Sequence, residues 1–331
     1  MRPFAYHRAA TLREAVERGS APGAAYLAGG TTMVDLMKIG VATPASLVDI
    51  TGLDELRRVS TDGATLRFGA LARMADVAED ATLKARYPAL SESLWLAASP
   101  QLRNMATVGG NLLQRTRCYY YRDTSFARCN KRVPGSGCEA LEGVNRMHAV
   151  LGTSERCVAT SPSDWAVALA AFDASVEVAR PGGNRVVRFD DLHVAYGDDP
   201  AAETTLRHGE IVTAITVPAT EAGVRSRYLK VRDRESYAFA TTSAAVALAM
   251  APDGTVREAR VALGGLAAKP WRARGAEAAL VGQRLDEASA GRAAEAALQG
   301  ARPLEHNAFK VDLGKRTVVE ALLTAAARGR G

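Results

Sequence analysis

The four cysteines of this chain are the residues whose type and spacing most directly suggest chemistry. All lie within one segment of 40 residues, with the spacing C-x10-C-x8-C-x18-C: Cys118, Cys129, Cys138 and Cys157. Four thiolates can bind an iron–sulfur cluster or a structural zinc ion, and four oxidised thiols can form two disulfides. Zinc sites usually contain close C-x2–4-C pairs, which this spacing lacks, and disulfides need an oxidising compartment. The spacing favours a cluster and leaves zinc, disulfides or free thiols open.

The segment around these cysteines differs from the rest of the chain. From about residue 115 to residue 156 no helical or strand period is present. A loop of about 40 residues is rare in a compact domain unless it is functional or cross-linked. Basic residues also concentrate there: Arg115, Arg117, Arg122, Arg128, Lys131, Arg132. Such side chains offset the negative charge of a metal–thiolate centre, which can itself order a loop that has no core.

Two glycine turns are candidates for binding phosphate. Residues 28–32, Ala-Gly-Gly-Thr-Thr, follow a predicted strand and precede a predicted helix, and residues 107–111, Thr-Val-Gly-Gly-Asn, form a second turn. Glycines let the backbone approach a diphosphate closely, and threonine hydroxyls add donors. The first turn lacks the G-x-G-x-x-G fingerprint of dinucleotide-binding domains. Each turn alone is typical of an ordinary helix entry, whereas the two together could hold one elongated phosphate ligand.

Two charged residues have both a structural and a functional interpretation. Asp164 lies in the first turn of a predicted helix, where the helix dipole favours an acid, and it could also accept hydrogen bonds from ribose or ribityl hydroxyls. Lys230 lies on a predicted strand, where a solvated lysine is the ordinary interpretation. No G-x-S-x-G, H-E-x-x-H or P-loop motif is present, so the sequence offers no catalytic residue.

The elements that must position these residues mix helices and strands. Strands are predicted over 26–28, 46–50, 65–68, 174–179, 184–189, 210–217, 228–231, 241–250 and 256–263. Helices are predicted from a capping box at Thr11 and Glu14, and over 33–38, 88–98, 164–172, 274–281, 285–298 and 317–327. This order indicates an α+β fold, with a domain boundary near residues 218–223.

Composition excludes several classes of protein. The chain is 47% apolar and 24% charged, which rules out intrinsic disorder and coiled coil. No apolar run approaches the about 18 residues of a membrane span, so we expect no membrane insertion. The net charge of +6 is local rather than general, and we expect no nucleic-acid partner, although a zinc-stabilised nucleic-acid-binding protein is a competing class. The N-terminus shows no export signal, which by itself predicts the cytoplasm.

Taken together, the motifs resemble the FAD-binding (medium) subunit of the molybdenum hydroxylases, the group of xanthine dehydrogenase and carbon monoxide dehydrogenase. The matching segments span the chain in family order: 28–32, 101–112, 162–164, 209–212, 217–218, Lys230 with Arg234, 263–265 and 269–272. Most members lack the four-cysteine loop. With that loop, the chain is most similar to the FAD and [4Fe-4S] subunit of bacterial periplasmic aldehyde oxidoreductases, and 4-hydroxybenzoyl-CoA reductase has a similar insertion.

The resemblance implies a vanillyl-alcohol-oxidase type FAD-binding domain of two α+β subdomains over residues 1–220, with the cysteine loop inserted at 115–157. A C-terminal α+β domain would cover residues 221–331. It further implies that FAD is bound without a covalent link, because no His or Cys lies beside Gly29 and Gly30. The implied FAD contacts are Leu27, Ala28, Gly29, Gly30, Thr31, Thr32, Thr107, Gly110, Asn111, Asp164 and Lys230, and the four cysteines would bind one [4Fe-4S] cluster.

The function implied by the resemblance is an electron relay rather than direct substrate oxidation. A large subunit with the molybdenum cofactor would oxidise an aldehyde, and [2Fe-2S] centres of a small subunit would pass electrons to FAD here, which would reduce an external acceptor. A xanthine dehydrogenase or 4-hydroxybenzoyl-CoA reductase type complex, or a free-standing flavin oxidase, is the alternative. Export of the folded complex on a partner's signal would make it periplasmic, with the cytoplasm as the alternative.

Overall fold

The computed structural model describes residues 1–328 and contains three β-sheets with helices packed between and around them. Residues 329–331, the end of the predicted C-terminal domain, lie outside the described residues. The first sheet is parallel, in the order β1-β3-β2, and the segments that cross between its strands contain the first two helices. These elements are β1 Ala5–Arg8, α1 Leu12–Gly19, β2 Ala24–Leu27, α2 Met33–Lys38 and β3 Ser46–Asp49.

The predicted start of α1 is confirmed. The Thr11 hydroxyl accepts from the backbone N–H of Glu14 at 3.1 Å, and the Glu14 carboxylate accepts from the backbone N–H of Ala10 at 2.9 Å. These contacts satisfy backbone donors that the first helical turn leaves unpaired. The helix then packs its buried residues Ala15 and Val16 into the core of the first sheet.

The second sheet is antiparallel and has five strands in the order β4-β5-β8-β6-β7. Its strands are β4 Val59–Ser60, β5 Thr65–Gly69, β6 Ser175–Arg180, β7 Gly183–Arg188 and β8 Ile211–Pro218. The predicted hairpin of β6 and β7 and the predicted strand at β8 are confirmed. Between β5 and β6 lie α3 Met74–Ala78, α4 Ala81–Arg86, α5 Pro88–Trp95, α6 Pro100–Arg103, α7 Val108–Leu112, α8 Tyr119–Arg122 and α9 Asp164–Ala171, and α10 Phe189–Leu192 follows β7.

The third sheet is antiparallel, in the order β12-β11-β10-β9, with three helices on one face. These elements are β9 Ser226–Val231, β10 Thr242–Met250, β11 Val256–Gly264, β12 Trp271–Arg272, α11 Arg274–Leu280, α12 Glu287–Ala297 and α13 Phe309–Ala327. The long helix α13 begins eight residues before the predicted position 317, and its first turn contains Lys310, which is fully buried although its residue type suggests exposure.

Strand β10 joins the two halves of the chain. Alternate side chains of a strand point to opposite faces of the sheet. Ala245 and Ala247 pack into the core that also contains Phe68 and Trp165, whereas Val246 packs into the core covered by the C-terminal helices. The sheet therefore has apolar layers on both faces, and the C-terminal part of the chain shares a core with the preceding one. Among residues 1–328, no helix combines the length and the apolar character needed to cross a bilayer.

Candidate functional site

The main cavity of the structure has a volume of about 910 Å³ and lies where the three parts of the fold meet. Its walls come from the loop after β2, the segment from α6 to α8, the start of α9 and the loop between β9 and β10. The loop that follows β11 closes one side, where Gly264 and Gly265 line the cavity. Both glycine turns and part of the cysteine loop thus open into one space.

The first glycine turn packs closely against the backbone at Met105 and Ala106, just before the second turn. A Cβ atom on Gly29 would lie 1.9 Å from the carbonyl oxygen of Met105, so only glycine fits there. Gly30 has φ +75°, a left-handed conformation that also favours glycine. Of the predicted residues 27–32, Thr31 and Thr32 line the cavity. Leu27 ends β2, and Ala28, Gly29 and Gly30 form the tight turn that brings the two threonines to the wall.

The second glycine turn begins helix α7. The Thr107 hydroxyl accepts from the backbone N–H of Gly110 at 3.2 Å, so this side chain is used as the helix cap. Gly110 and Asn111 line the cavity. The Asn111 side-chain oxygen accepts from the Ser163 hydroxyl at 2.6 Å, and the same hydroxyl accepts from the backbone N–H of Ala166 at the start of α9. One hydrogen-bonded network thus connects the second turn to the predicted acid.

Asp164 lines the cavity from the first turn of α9, where the sequence predicts it. Its carboxylate accepts from the Tyr228 hydroxyl at 2.6 Å and from the Lys230 ammonium at 2.8 Å. The Lys230 side chain is 1% exposed and also donates to the carbonyl of Leu96 at 2.9 Å, so it is not the solvated lysine of the ordinary interpretation. The structure places Lys230 behind Asp164 rather than in the cavity wall.

The four predicted cysteine ligands are brought together around Cys118. Cys118 packs into one apolar cluster with Cys157, into a second with Cys129 and into a third with Cys138. Cys129 and Cys157 are buried, and Cys118 and Cys138 are partly buried. Of the four cysteines, Cys118 lines the cavity. The structure therefore juxtaposes the cysteine centre with the two glycine turns, which sequence spacing could not predict.

The environment of the sulfurs fits thiolates that bind a metal cluster. Burial raises the pKa of Cys118 to about 12, and the backbone N–H groups of Tyr121 and Tyr120 act in the opposite direction. Burial likewise raises the pKa of Cys138, against backbone N–H groups that stabilise its thiolate. Thiols this buried stay protonated unless a metal displaces the proton, and N–H···S contacts are typical of cluster ligands.

A single metal ion is a different case. Across residues 1–328, no three Cys, His, Asp or Glu side chains converge closely enough to hold one ion together. In a four-iron cluster each cysteine binds a separate iron, so the sulfurs stand farther apart than the ligands of one ion do. The donor set is four thiols, two buried and two partly buried, without a C-x2-C pair, and soft thiolates of this kind suit zinc or an iron–sulfur cluster.

Several residues of the site were not found from the sequence. His148 lies 3.1 Å from the sulfur of Cys118 through its Nε2 atom and lines the cavity. Asp35 of α2 forms ion pairs with Arg117 at 3.3 Å and with Arg122 at 2.5 Å, joining the helix that follows the first glycine turn to the cysteine loop. An isolated histidine and an acid on a short helix carry no spacing signal, and the basic residues around the cysteines were the one available clue.

The chain is similar in sequence to known families of proteins. Residues 2–220 match the family described as the FAD binding domain in molybdopterin dehydrogenase, and residues 227–325 match the CO dehydrogenase flavoprotein C-terminal domain. The chain is 46% identical over 330 residues to the aldehyde oxidoreductase FAD-binding subunit PaoB of Escherichia coli K12, covering 99% of this chain and 100% of that protein.

More distant relatives share the fold over the whole chain. The carbon monoxide dehydrogenase medium chain of Hydrogenophaga pseudoflava is 28% identical, with 98% of both chains covered. The solved carbon monoxide dehydrogenase of that organism, which lacks the Mo-pyranopterin moiety of the molybdenum cofactor, matches with a TM-score of 0.75 and 29% identity, covering 99% of both chains.

The chain therefore belongs to the FAD-binding subunits of the molybdenum hydroxylase family. The predicted fold class, an α+β FAD-binding domain followed by an α+β C-terminal domain, is confirmed. The protein is an oxidoreductase subunit.

Proposed function

We propose that this chain is the electron-transfer subunit of a molybdenum-containing aldehyde oxidoreductase and that it holds both FAD and one [4Fe-4S] cluster. The observation that carries the proposal is that Cys118 lines the same cavity as Thr32 and Asn111. The identity of 46% with an aldehyde oxidoreductase FAD-binding subunit favours an aldehyde over a purine as the substrate of the complex.

The residues of the cavity suit FAD in two ways. The tight turn at Gly29 and Gly30 brings the hydroxyls of Thr31 and Thr32 to the cavity wall, where they can donate to a diphosphate. Asp164 presents a buried carboxylate, fixed by Tyr228 and Lys230, as an acceptor for the hydroxyls of the ligand. FAD, when bound, supplies chemistry that accepts electrons singly and releases them in pairs.

The protein's own role is to orient and to exclude water. The ion pair of Lys230 fixes one oxygen of Asp164, so the carboxylate cannot rotate away from the cavity. The Thr107 cap fixes the backbone of Gly110 beside it. The side chains of Tyr119 and Tyr237 line the outer part of the cavity and are largely exposed. In this arrangement the external acceptor would reach the site from the side of these tyrosines.

We extend the proposal to partners and domains. A large subunit with the molybdenum cofactor would oxidise the aldehyde, and a small subunit with [2Fe-2S] centres would deliver the electrons. The relatives named as medium chains support such a division of labour. Residues 1–220 would hold the flavin, and the C-terminal domain that begins at residue 221 would complete the cavity wall; the family matches at 2–220 and 227–325 support this division.

We also propose that the folded complex works in the periplasm after export on a partner's signal. Fractionation of cells that produce the whole complex tests this point. Aldehyde-dependent activity released with the periplasmic contents is the expected result, and activity retained with cytoplasmic markers would contradict it.

The function is tested on the intact complex, purified without oxygen and mixed with an aldehyde in the absence of an acceptor. We expect the flavin absorbance to bleach and to return when an artificial acceptor such as ferricyanide is added. Hypoxanthine in place of the aldehyde is the matched control and should leave the flavin oxidised. Bleaching by hypoxanthine alone would assign the complex to the xanthine dehydrogenase type, and no bleaching by any substrate would contradict the relay.

A further inference from the structure

We propose that His148 donates a hydrogen bond to the sulfur of Cys118 and thereby raises the redox potential of the cluster. This inference rests on the proposed function, in which Cys118 is a cluster ligand. The Nε2 atom of His148 lies 3.1 Å from the Cys118 sulfur, within the range of a hydrogen bond to sulfur. The His148 side chain is 3% exposed, and both residues line the cavity.

The direction of this hydrogen bond follows from the chemistry of the two groups. A metal-bound thiolate has lone pairs and no proton, so it can only accept. A neutral imidazole carries one N–H, on whichever ring nitrogen has an acceptor. The other ring nitrogen, Nδ1, is buried and has no hydrogen-bond partner among residues 1–328. The single proton therefore belongs on Nε2, where an acceptor is present.

The backbone of His148, which sets the position of the imidazole, is held mainly by groups from the C-terminal part of the chain. Lys310, fully buried in α13, donates to the carbonyl of His148 at 2.9 Å and to the carbonyl of Gly265 at 2.5 Å. The Asn307 amide donates to the His148 carbonyl at 3.3 Å, and the backbone N–H of His148 donates to the carbonyl of Asn145 at 2.9 Å. The ring of Tyr120 lies 6.1 Å from the imidazole, centre to centre.

The expected electrostatic effect has a definite sign. In a one-electron couple the cluster gains one electron, and part of the added negative charge lies on the cysteine sulfurs. A hydrogen bond to sulfur is stronger in the reduced state, because the sulfur is then more negative. The N–H group of His148 therefore stabilises the reduced cluster relative to the oxidised one and raises the midpoint potential.

The test compares midpoint potentials of the cluster in the intact complex by dithionite titration followed by electron paramagnetic resonance. His148→Phe keeps a ring of similar size and removes the donor. We expect the equilibrium constant for one-electron reduction of the cluster to fall about tenfold in this variant. This corresponds to a midpoint potential about 59 mV lower. His148→Gln keeps an N–H donor and should remain closer to the wild-type protein.

His193→Phe is the matched control, since His193 contacts the carbonyl of Leu112 at 3.0 Å through Nε2 and should not affect the potential. An unchanged midpoint potential in a fully iron-loaded His148→Phe variant would overturn the inference about His148 but would not contradict the proposed cluster. If that variant loses iron, His148→Gln is compared with His193→Phe instead. A midpoint potential lower in His148→Gln than in His193→Phe would then contradict the expectation that an N–H donor at position 148 preserves the potential. Wild-type protein without iron would instead overturn the proposed cluster, and the inference with it.

Discussion

The ammonium of Lys230 lies 2.8 Å from the carboxylate of Asp164, and the two side chains are only 1% and 5% exposed. Asp164 begins α9, within the FAD-binding family match, and Lys230 lies on β9, within the C-terminal match. The Tyr228 hydroxyl donates to the second carboxylate oxygen at 2.6 Å. A buried charge pair therefore joins the two parts of the chain directly beside the cavity, where it fixes the acid that we assign to the flavin hydroxyls.

Removal of one partner of this pair should destabilise the protein strongly. Lys230→Met leaves the buried carboxylate without its counter-charge, and we expect the free energy of unfolding to fall by about 3–5 kcal/mol. Urea unfolding followed by circular dichroism measures the change. The matched control is Arg67→Met, which breaks the half-exposed pair with Glu177 and should change stability by about 0–1 kcal/mol. Equal effects of the two variants would contradict the buried pair.

The buried ammonium of Lys310 predicts a specific pH dependence of stability. Burial, followed by the charge of Arg146, lowers its pKa from 10.5 to about 7, and Asp233 acts weakly in the opposite direction. Between about pH 7 and pH 10 the unfolded chain holds a proton that the folded chain has lost. Stability therefore rises with pH in this window, by about 1.4 kcal/mol per unit, and is independent of this group below it.

Lys310→Met should abolish this rise. Urea unfolding of both proteins at several pH values across that window gives the difference in stability, in which the other titrating groups cancel. The control is Lys315→Met, because the partly exposed Lys315 pairs with Glu295, which raises its pKa and moves its titration above the window. If the difference in unfolding free energy between the wild-type protein and Lys310→Met stays constant with pH, Lys310 remains charged in the folded protein.

The close packing at Gly29 predicts sensitivity to a single methyl group. In Gly29→Ala the new Cβ would meet the Met105 carbonyl oxygen at 1.9 Å, so either the first glycine turn or the backbone at Met105 must move. We expect FAD affinity to fall by about tenfold or more, since overpacking of this kind costs about 1–3 kcal/mol. Fluorescence titration of the flavin-free protein with FAD measures the affinity. Gly291→Ala, in the interior of α12 with open space around it, should retain wild-type affinity, and an equal loss there would point to a general folding defect.

The cysteine centre and the flavin site should be separable by mutation. Cys157 is 5% exposed and does not line the cavity, so Cys157→Ser should lose most of the iron and retain the flavin. Iron and flavin are assayed on the same purified sample. Ser125→Ala is the control in the same loop, because its hydroxyl contacts the exposed side chain of Asp123 at 2.7 Å. Full iron content in Cys157→Ser would remove Cys157 from the ligand set.

Motifs could be predicted from the sequence where the chemistry is local. The two glycine turns, the first turn of α9 at Asp164 and the cysteine spacing depend on neighbouring residues, and the structure brings all of them to one region. The individual FAD contacts and the four cluster ligands stay predictions. The environment of Lys230 could not be predicted, because its partner Asp164 lies 66 positions away and residue type alone suggests a solvated strand lysine.

Two further differences between the sequence-based prediction and the structure also arise from contacts between residues distant in the sequence. Helix α13 begins earlier than predicted, and its first turn buries Lys310 against the carbonyls of His148 and Gly265, which are acceptors that no local pattern encodes. Both faces of β10 are apolar, so its sequence lacks the alternation of apolar and polar residues that a half-exposed strand shows. That the two faces pack into two different cores becomes apparent only in the folded structure.

The central claim is that one chain holds both FAD and a four-iron cluster, and the most direct test is a cofactor inventory of protein purified without oxygen. The ultraviolet–visible spectrum is recorded, and acid-released flavin, iron, zinc and sulfide are assayed on the same sample. We predict one FAD together with about four iron and four sulfide per chain. Flavin with zinc or without metal would contradict the cluster, and folded protein with neither flavin nor iron would contradict the proposed function as a whole.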